Sequence, residues 1–556
     1  MQKLELTWIG KGKEPVVEPR ILLHDPSKDY GDPNTENMLI HGDNLLTLKA
    51  LEQKYSGQVK CIYIDPPYNT GEAFEYYDDN LEHSIWLGLM KARLEILYNL
   101  LAEDGFFCCQ IDDSEGHYLK VMLDEIFGRN GYYQTTIYVR VRYPEKTLKQ
   151  DMSFHKEIEQ VHVYRKTAAA KPRLDVVDAG YEKFKYRITT SETPDKVLEL
   201  GGKKVEVFYK GNYEIHEEEG SEYGLKEIWA SGTILDGNSS GRFFRDFLTG
   251  RYENDGYGVI YKVYGIGDDR YDFRYFTGPN REGATKGKYY QGVPIEKLES
   301  GKMTREVPIS GFLDLAAYFG NCRHEGGSEF RGGKKPEILV YTLLNHFSNP
   351  GDLVLDSFLG SGTTAAVAHK MGRRYIGIEL GEHCYTLCKS RLDRVIEGEQ
   401  TGISKETNWQ GGGGYKFYEL APSLIEKDKY GNPVISNNYN SNMLIAAVAK
   451  LNGYNYAPDS DIFWKQGYSQ DKSYIYVTTN YMDSKMLDSI FSDLGMMETL
   501  LICAPAFDVG LDKRYDNIQI KKIPQSVLDK CEYGVDNYNL NVVDIPIIDE
   551  EEWEDD

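Results

Sequence analysis

Short uninterrupted apolar runs alternate along the chain with segments whose apolar positions recur every three or four residues, the pattern of buried strands followed by core-facing helices. Cys61-Ile62-Tyr63-Ile64 predicts a buried strand, which the prolines at 66 and 67 must end. Leu353-Val354-Leu355 predicts another, ended by Asp356, after which Gly360 and Gly362 turn the chain into a helix carrying Ala365, Val367, Ala368 and Met371. Tyr375-Ile376-Gly377-Ile378 follows as a strand ending in Glu379, and Met38 to His41 and Phe106 to Ile111 add two more. Helices are expected over Leu45 to Leu51, over the stretch where Trp86, Leu89, Met90, Arg93, Leu94, Leu97, Leu100 and Leu101 keep helical spacing, and over Tyr118 to Phe127, Ile338 to Phe347 and about 381–397. Strands alternating with helices imply an α/β fold with an open parallel sheet, whose ligands bind at the strands' carboxyl ends.

Asp65 lies at such an end. Asp65-Pro66-Pro67-Tyr68 places a carboxylate, a stiff backbone carbonyl and an aromatic ring on one loop. Methyl transfer to the exocyclic amine of a nucleic-acid base wants this set. The amine's lone pair is delocalised into the ring, and two acceptors aimed at its two hydrogens localise it. Asp65 and the Pro66 carbonyl are those acceptors; the Pro66-Pro67 pair cannot relax its φ angles, which preorganises them. Tyr68 offers a stacking face, worth roughly 1–3 kcal/mol per base. The base must leave its duplex first, because its amine is otherwise paired. Strand-Asp-Pro also occurs in plain tight turns, so the loop gains weight from its distant companion.

That companion is Leu353 to Thr364, reading LVLDSFLGSGTT. Its glycines let a ligand approach the backbone, and Glu379, about 20 residues on, suits an acid that binds a ribose diol. Asp356, Phe358, Gly360, Gly362, Thr363 and Glu379 are the cofactor-binding candidates. The dinucleotide fingerprint wants a third glycine where this chain has Ala365, which disfavours nicotinamide and favours S-adenosylmethionine (SAM), a nucleoside without a pyrophosphate.

Together these motifs resemble the β class of DNA amino-methyltransferases, in which the target-base motif precedes the SAM motif. The stretches LTWIGKGKEP, MLIHGDNLLTLKAL and EHSIWLGLMKARLEIL resemble the modification (Mod) subunits of Type III restriction-modification systems. The resemblance covers about residues 1–166 and 326–420. It implies a Rossmann-like SAM-dependent methyltransferase sheet with an inserted target recognition domain, acting on adenine N6 in double-stranded DNA without a covalent enzyme intermediate. It also implies that Asp43 lies against the adenosine and Lys335 on the carboxylate of SAM, that Phe154 flanks the flipped base, and that a restriction subunit is a partner. Asp43 is equally compatible with a helix N-cap. An N4-cytosine enzyme and a non-catalytic recognition subunit stay open, as does transfer to RNA or protein glutamine, although there the loop usually begins with Asn.

The expected organisation is an N-terminal arm (1–36), a target-base half (37–166), a target recognition domain (167–325), a SAM-binding half (326–400), a flexible glycine-rich linker (401–416) and a C-terminal α/β module (417–556) for dimerisation or partner docking. In the inserted region, basic and aromatic residues interleave at Lys183-Phe184-Lys185-Tyr186-Arg187, Arg242-Phe243-Phe244-Arg245, Arg270 to Tyr275 and Lys286 to Tyr290. They suit phosphates and base faces, and equally the wet face of ordinary strands. The net charge of −23 runs against DNA binding, but about 12 Lys/Arg face about 24 Asp/Glu in residues 411–556, so half of the excess lies there. Asp549 to Asp556 reads as a solvated acidic tail. The eight cysteines lack CxxC pairing, which suits reduced thiols in a cytoplasm and no metal; Cys384 and Cys388 read as packing. No apolar run of about 18 residues and no signal-peptide segment is present, so no membrane is implied.

Overall fold

The computed structural model describes residues 5–12, 16–69, 82–144, 155–178, 180–230, 239–284, 286–300, 304–327, 333–427, 429–430, 433–469 and 472–523. Phe154, Asp549 to Asp556 and the loop beyond Asn69 lie outside them. The chain forms two compact units, one of residues 1–173 and 310–556, the other of residues 174–309.

The first unit is built on one mixed sheet. Six neighbouring strands run parallel, in the order Gly414–Leu420, Met38–His41, Arg374–Glu379, Leu353–Asp356, Val59–Ile64 and Leu101–Ile111. Ile158–Arg165 and Tyr133–Arg140 extend it antiparallel, and Leu22–His24 closes the opposite edge. Residues from both ends of the sequence therefore interleave. Leu353–Asp356 sits beside Val59–Ile64, with Val354 paired to Cys61 and Leu355 to Ile62. Helices cover both faces of these strands, so neither set of side chains meets water and the runs are apolar at nearly every position rather than at every second one.

Helices Asn44–Tyr55, His83–Leu100 and Gly116–Phe127 bury Leu45, Leu48, Trp86, Met90, Leu94 and Leu123 with Phe107 and Leu355 in one core. Helices Glu337–Phe347 and Thr363–Lys370 bury Leu339, Leu343 and Val367, and Phe347 meets Phe106 at a ring separation of 4.8 Å. No helix among the described residues is long and apolar enough to cross a membrane.

The expected flexible linker is instead a built part of this unit. Gly414 begins a strand paired to Met38–His41, and Thr35 and Asn37 both donate to its carbonyl. The glycines serve close packing: a Cβ at Gly413 would stand 2.7 Å from His369 Nε2, and one at Gly414 2.4 Å from the Asp32 nitrogen. Beyond it, a five-stranded sheet with Ser473–Val477 at its centre and the helices Ser441–Leu451 and Ser484–Asp493 forms an α/β module, whose core takes in Ile21 of the N-terminal arm.

The second unit carries an antiparallel six-stranded sheet, ordered Lys196–Leu200, Lys203–Phe208, Ile260–Tyr264, Phe273–Thr277, Gly287–Gln291 and Lys226–Ala230. Val205, Val207, Phe244, Phe276 and Tyr289 fill its core.

Candidate active site

Asp65 emerges at the carboxyl end of Val59–Ile64 with its side chain only 19% exposed. Oδ2 is 3.2 Å from the Lys335 ammonium; Oδ1 is buried and has no hydrogen-bond partner among the described residues. A buried acceptor without a donor is costly unless something else supplies one. Burial pushes the Asp65 carboxyl up to about 6, with Glu159 pushing the same way and Lys335 opposing.

The loop is held from outside. The indole of Trp86, wholly buried in the helix His83–Leu100, donates to the Pro67 carbonyl at 2.8 Å. Asn69 closes the loop in the left-handed region (φ 59°), which asparagine tolerates, and donates to Glu115 at 2.8 Å. Tyr68 donates through its hydroxyl to Glu159 at 2.8 Å, and Lys335 lies 4.8 Å over its ring. Glu159 belongs to the strand Ile158–Arg165; it also accepts from Gln110, which in turn accepts from the Tyr63 hydroxyl. Sequence reasoning missed Glu159, Gln110 and Trp86 as site residues. Their common signal was a polar atom on an otherwise buried strand or helix face, which only the fold can aim.

The second loop follows on the neighbouring strand. Asp356 accepts from the Phe358 amide at 2.9 Å and the Thr364 hydroxyl at 2.6 Å; burial pushes its carboxyl up to about 7. Gly360 (φ 56°) and Gly362 (φ 82°) take the left-handed turn that L side chains resist. Among the described residues no atom stands within 4 Å of where a Gly360 Cβ would point, whereas a Cβ at Gly362 would meet the Cys388 Cα at 3.4 Å. The first therefore faces open space and the second packs a helix. Glu379 braces the turn, accepting from the amides of Gly360 at 2.7 Å and Leu380 at 2.8 Å. Phe358 is buried in the core beside this loop.

Asp43 caps the helix Asn44–Tyr55, accepting from the Leu46 amide at 3.0 Å, and Arg93 reaches it at 3.5 Å. Its neighbour Gly42 donates to the Glu379 carbonyl at 3.0 Å, which puts the Gly42-Asp43 turn beside the glycine loop. Thr363 is taken up by the scaffold: its hydroxyl donates to the Lys335 carbonyl at 3.2 Å and accepts from Arg391 at 2.7 Å. Lys335 lies against the Asp65–Tyr68 loop, its ammonium 3.2 Å from Asp65 Oδ2 and 4.8 Å over the Tyr68 ring.

The structure thus gathers Asp65, Pro66, Pro67, Tyr68 and Lys335 at one strand end, and Asp356, Phe358, Gly360, Gly362, Thr363 and Glu379 at the next. In the second unit, several of the interleaved basic residues are neutralised locally. Arg274 is buried and bonds Asp269 at 2.9 Å, Arg187 bonds Glu218 at 2.6 Å, and Lys288 bonds Glu227 at 2.7 Å. Among the described residues no group of three His, Cys, Asp or Glu side chains could hold a metal ion.

The glycine loop and the Asp-Pro-Pro-Tyr loop thus stand side by side at the carboxyl ends of adjacent parallel strands of an α/β sheet. The DNA methylase family matches residues 59–390, more than half of the chain, and the chain belongs to that family. It is 33% identical over 422 residues to a Haemophilus influenzae protein named "Probable type III restriction-modification enzyme HindVI Mod subunit", a match covering 70% of this chain and 54% of that one. The chain thus spans about half of that relative's length. It is 24% identical over 497 residues to the EcoP15I Mod subunit of a type III restriction-modification enzyme from Escherichia coli, covering 77% of this chain and 73% of that one. A solved complex of M1.HpyAVI with SAM aligns over 64% of this chain and 99% of its own, at 14% identity and a TM-score of 0.30, and adds nothing to the fold described above.

Proposed function

We propose that this chain transfers the methyl group of SAM to adenine N6 in duplex DNA after flipping the base, as the modification component of a restriction-modification system. The observation that carries the reading is the buried Oδ1 of Asp65 on the Pro66-Pro67 loop, without a partner among the described residues and one strand away from the Gly360–Gly362 turn. SAM would supply an electrophilic methyl group. The residues fit it: the open space over Gly360 admits a ligand, and Glu379, Asp356 and Phe358 surround that turn. Asp65 and the Pro66 carbonyl accept the two amine hydrogens and localise the lone pair, while Tyr68 stacks the base. Asp65 need only accept a hydrogen bond, because the methylated product cation loses its proton readily to water.

Residues 174–309 are read as the target recognition domain and the C-terminal module as a surface for a second copy of the chain or a restriction subunit. The separate fold of residues 174–309 supports the first assignment, and the relatives' names as Mod subunits of restriction-modification enzymes support a partner subunit. A cytoplasmic setting fits the seven described cysteines, all buried and none in a disulfide.

The test is direct sequencing of modified bases in native DNA from the source cell and from a deletion strain. Loss of N6-methyladenine at one short motif is the expected result. Loss of N4-methylcytosine instead would move the chain to the cytosine branch, and no change in any DNA mark would sink the reading.

A further inference from the structure

Lys335 stands where the two loops meet. Its ammonium lies 3.2 Å from Asp65 Oδ2, 3.4 Å from Glu159 Oε2 and 4.8 Å over the ring of Tyr68, and its side chain is 8% exposed. A cation so nearly cut off from water is stable only with partners of this kind, and two carboxylates and a π face supply them. Its backbone is fixed as well. The carbonyl accepts from Thr363 at the start of the helix Thr363–Lys370. Pro336 restricts the next φ, the Glu337 amide donates to Glu325 at 2.8 Å, and the Glu337 carboxylate holds both Lys370 and Arg391 at 2.8 Å. The ammonium cannot swing toward a cofactor carboxylate without leaving two acids and a ring behind.

We propose that Lys335 is a positioning residue for the acceptor side of the site: it fastens Oδ2 of Asp65 and so leaves Oδ1 as the atom presented to the incoming amine. The proposal rests on the methyltransferase reading above, and it gives Lys335 a different task from the cofactor contact that the family resemblance implies. Through its backbone bond to Thr363, the same residue ties the acceptor loop to the helix that follows the glycine turn.

A second consequence concerns charge. Asp65 is faced by Glu159 from the strand Ile158–Arg165, by Asp356 from the neighbouring strand, by Cys109 from Leu101–Ile111, and by Tyr63 and Tyr68 from its own strand and loop. Among these described neighbours Lys335 is the one cation. Burial and Glu159 favour the protonated acid, and a protonated Asp65 cannot accept at that oxygen. Lys335 therefore extends the pH range in which Asp65 stays an acceptor.

The experiment compares the full-length wild type with Lys335→Met, Lys335→Arg and Glu159→Gln. Methyl transfer to duplex DNA is followed from pH 5.5 to 9, and SAM affinity is measured by calorimetry without DNA. Lys335→Met is expected to move the acid limb of the rate profile up by about one unit or more and to leave SAM affinity within about twofold, while Lys335→Arg keeps the limb close to wild type. Glu159→Gln, which removes a repelling charge while keeping an acceptor for Tyr68, is expected to move the limb down. A Lys335→Met protein that loses SAM affinity about tenfold with its limb unmoved would return the residue to the cofactor and overturn the proposal. Should Lys335→Met not fold, a Glu159→Gln limb that stays put or rises overturns it equally. Failure of the methyltransferase reading shows separately, as a wild-type protein that methylates no DNA at any pH.

Discussion

The indole of Trp86 donates to the carbonyl of Pro67, 2.8 Å away, so one of the two consecutive proline carbonyls is committed to the scaffold. The other, at Pro66, stands next to Asp65 and is the one positioned to serve a substrate. A residue placed in the core by its helical spacing thus also sets which oxygen of the loop can do chemistry.

Trp86→Phe keeps an aromatic ring and deletes the donor. The Pro67 carbonyl, left without it, costs about 1–3 kcal/mol. The loop should slacken and the transfer rate fall about tenfold, with SAM affinity unchanged; single-turnover kinetics beside calorimetry separate the two.

Asp65→Ala removes one of the two acceptors and leaves the glycine turn intact. Transfer should drop by at least about a hundredfold, the scale of losing one preorganised polar group at a reacting centre. SAM binding should persist. Turnover at the wild-type rate would mean the loop has been misassigned.

The wild-type rate itself should depend on pH in a definite direction. With the Asp65 carboxyl pushed up to about 6 by burial and Glu159, the anion required as acceptor is lost as pH falls through that value. A plot of the single-turnover rate against pH should bend downward below about 6 and stay level above about 7. A profile flat down to pH 5 would contradict the role given to this carboxylate.

Glu337 is wholly buried and is the shared partner of Lys370 and Arg391. Glu337→Ala strands the buried Arg391 guanidinium without its carboxylate and leaves Lys370 only Glu399, a change that costs about 3–5 kcal/mol. The denaturant midpoint should fall sharply, and the Lys335 segment beside it should lose its anchor.

In the second unit, Arg274 sits among aromatic residues but is buried against Asp269 and Ser240. Arg274→Ala should lower the resistance of residues 174–309 to proteolysis. Trp229, 60% exposed with Lys288 4.7 Å over its ring, is the better candidate for a base face. Trp229→Ala should weaken binding of duplex DNA by about five- to a hundredfold, the free-energy scale of one lost stacking contact, and leave the fold intact. Gel-shift titrations of both variants would tell the two roles apart.

Much of the first unit was legible because its strands are fully buried: Cys61 to Ile64, Leu353 to Leu355 and Tyr375 to Ile378 are apolar without interruption, and each ends in a residue that stops a strand. The two loops were legible for the same reason, since proline and glycine announce backbone constraint locally. Three things were not. Gly411 to Gly414 reads as slack, because composition cannot show that His369 and Asp32 lie where side chains would have gone. Tyr415 and Phe417, buried beside those glycines, were the available hint of a strand. Lys335, Glu159 and Trp86 act on Asp65 and Pro67 across long separations in the chain, and no local pattern encodes such distances. Arg274 misled in the opposite sense: an arginine between aromatics looks alike in a sequence whether it meets a phosphate or a buried aspartate.

The order of strands in the sheet also sets a timetable. Val59–Ile64 waits for Leu353–Asp356 to take its place on one edge, and Met38–His41 waits for Arg374–Glu379 and Gly414–Leu420. Roughly 290 residues separate the first pair, so a ribosome working at about 5–20 residues per second leaves that edge unpaired for about 15–60 s. Residues 174–309 are contiguous and are finished within that interval, before the sheet on either side of them can close. A newborn chain is therefore a finished insert between two half-built edges, and those bare apolar strands are what a chaperone would find to hold.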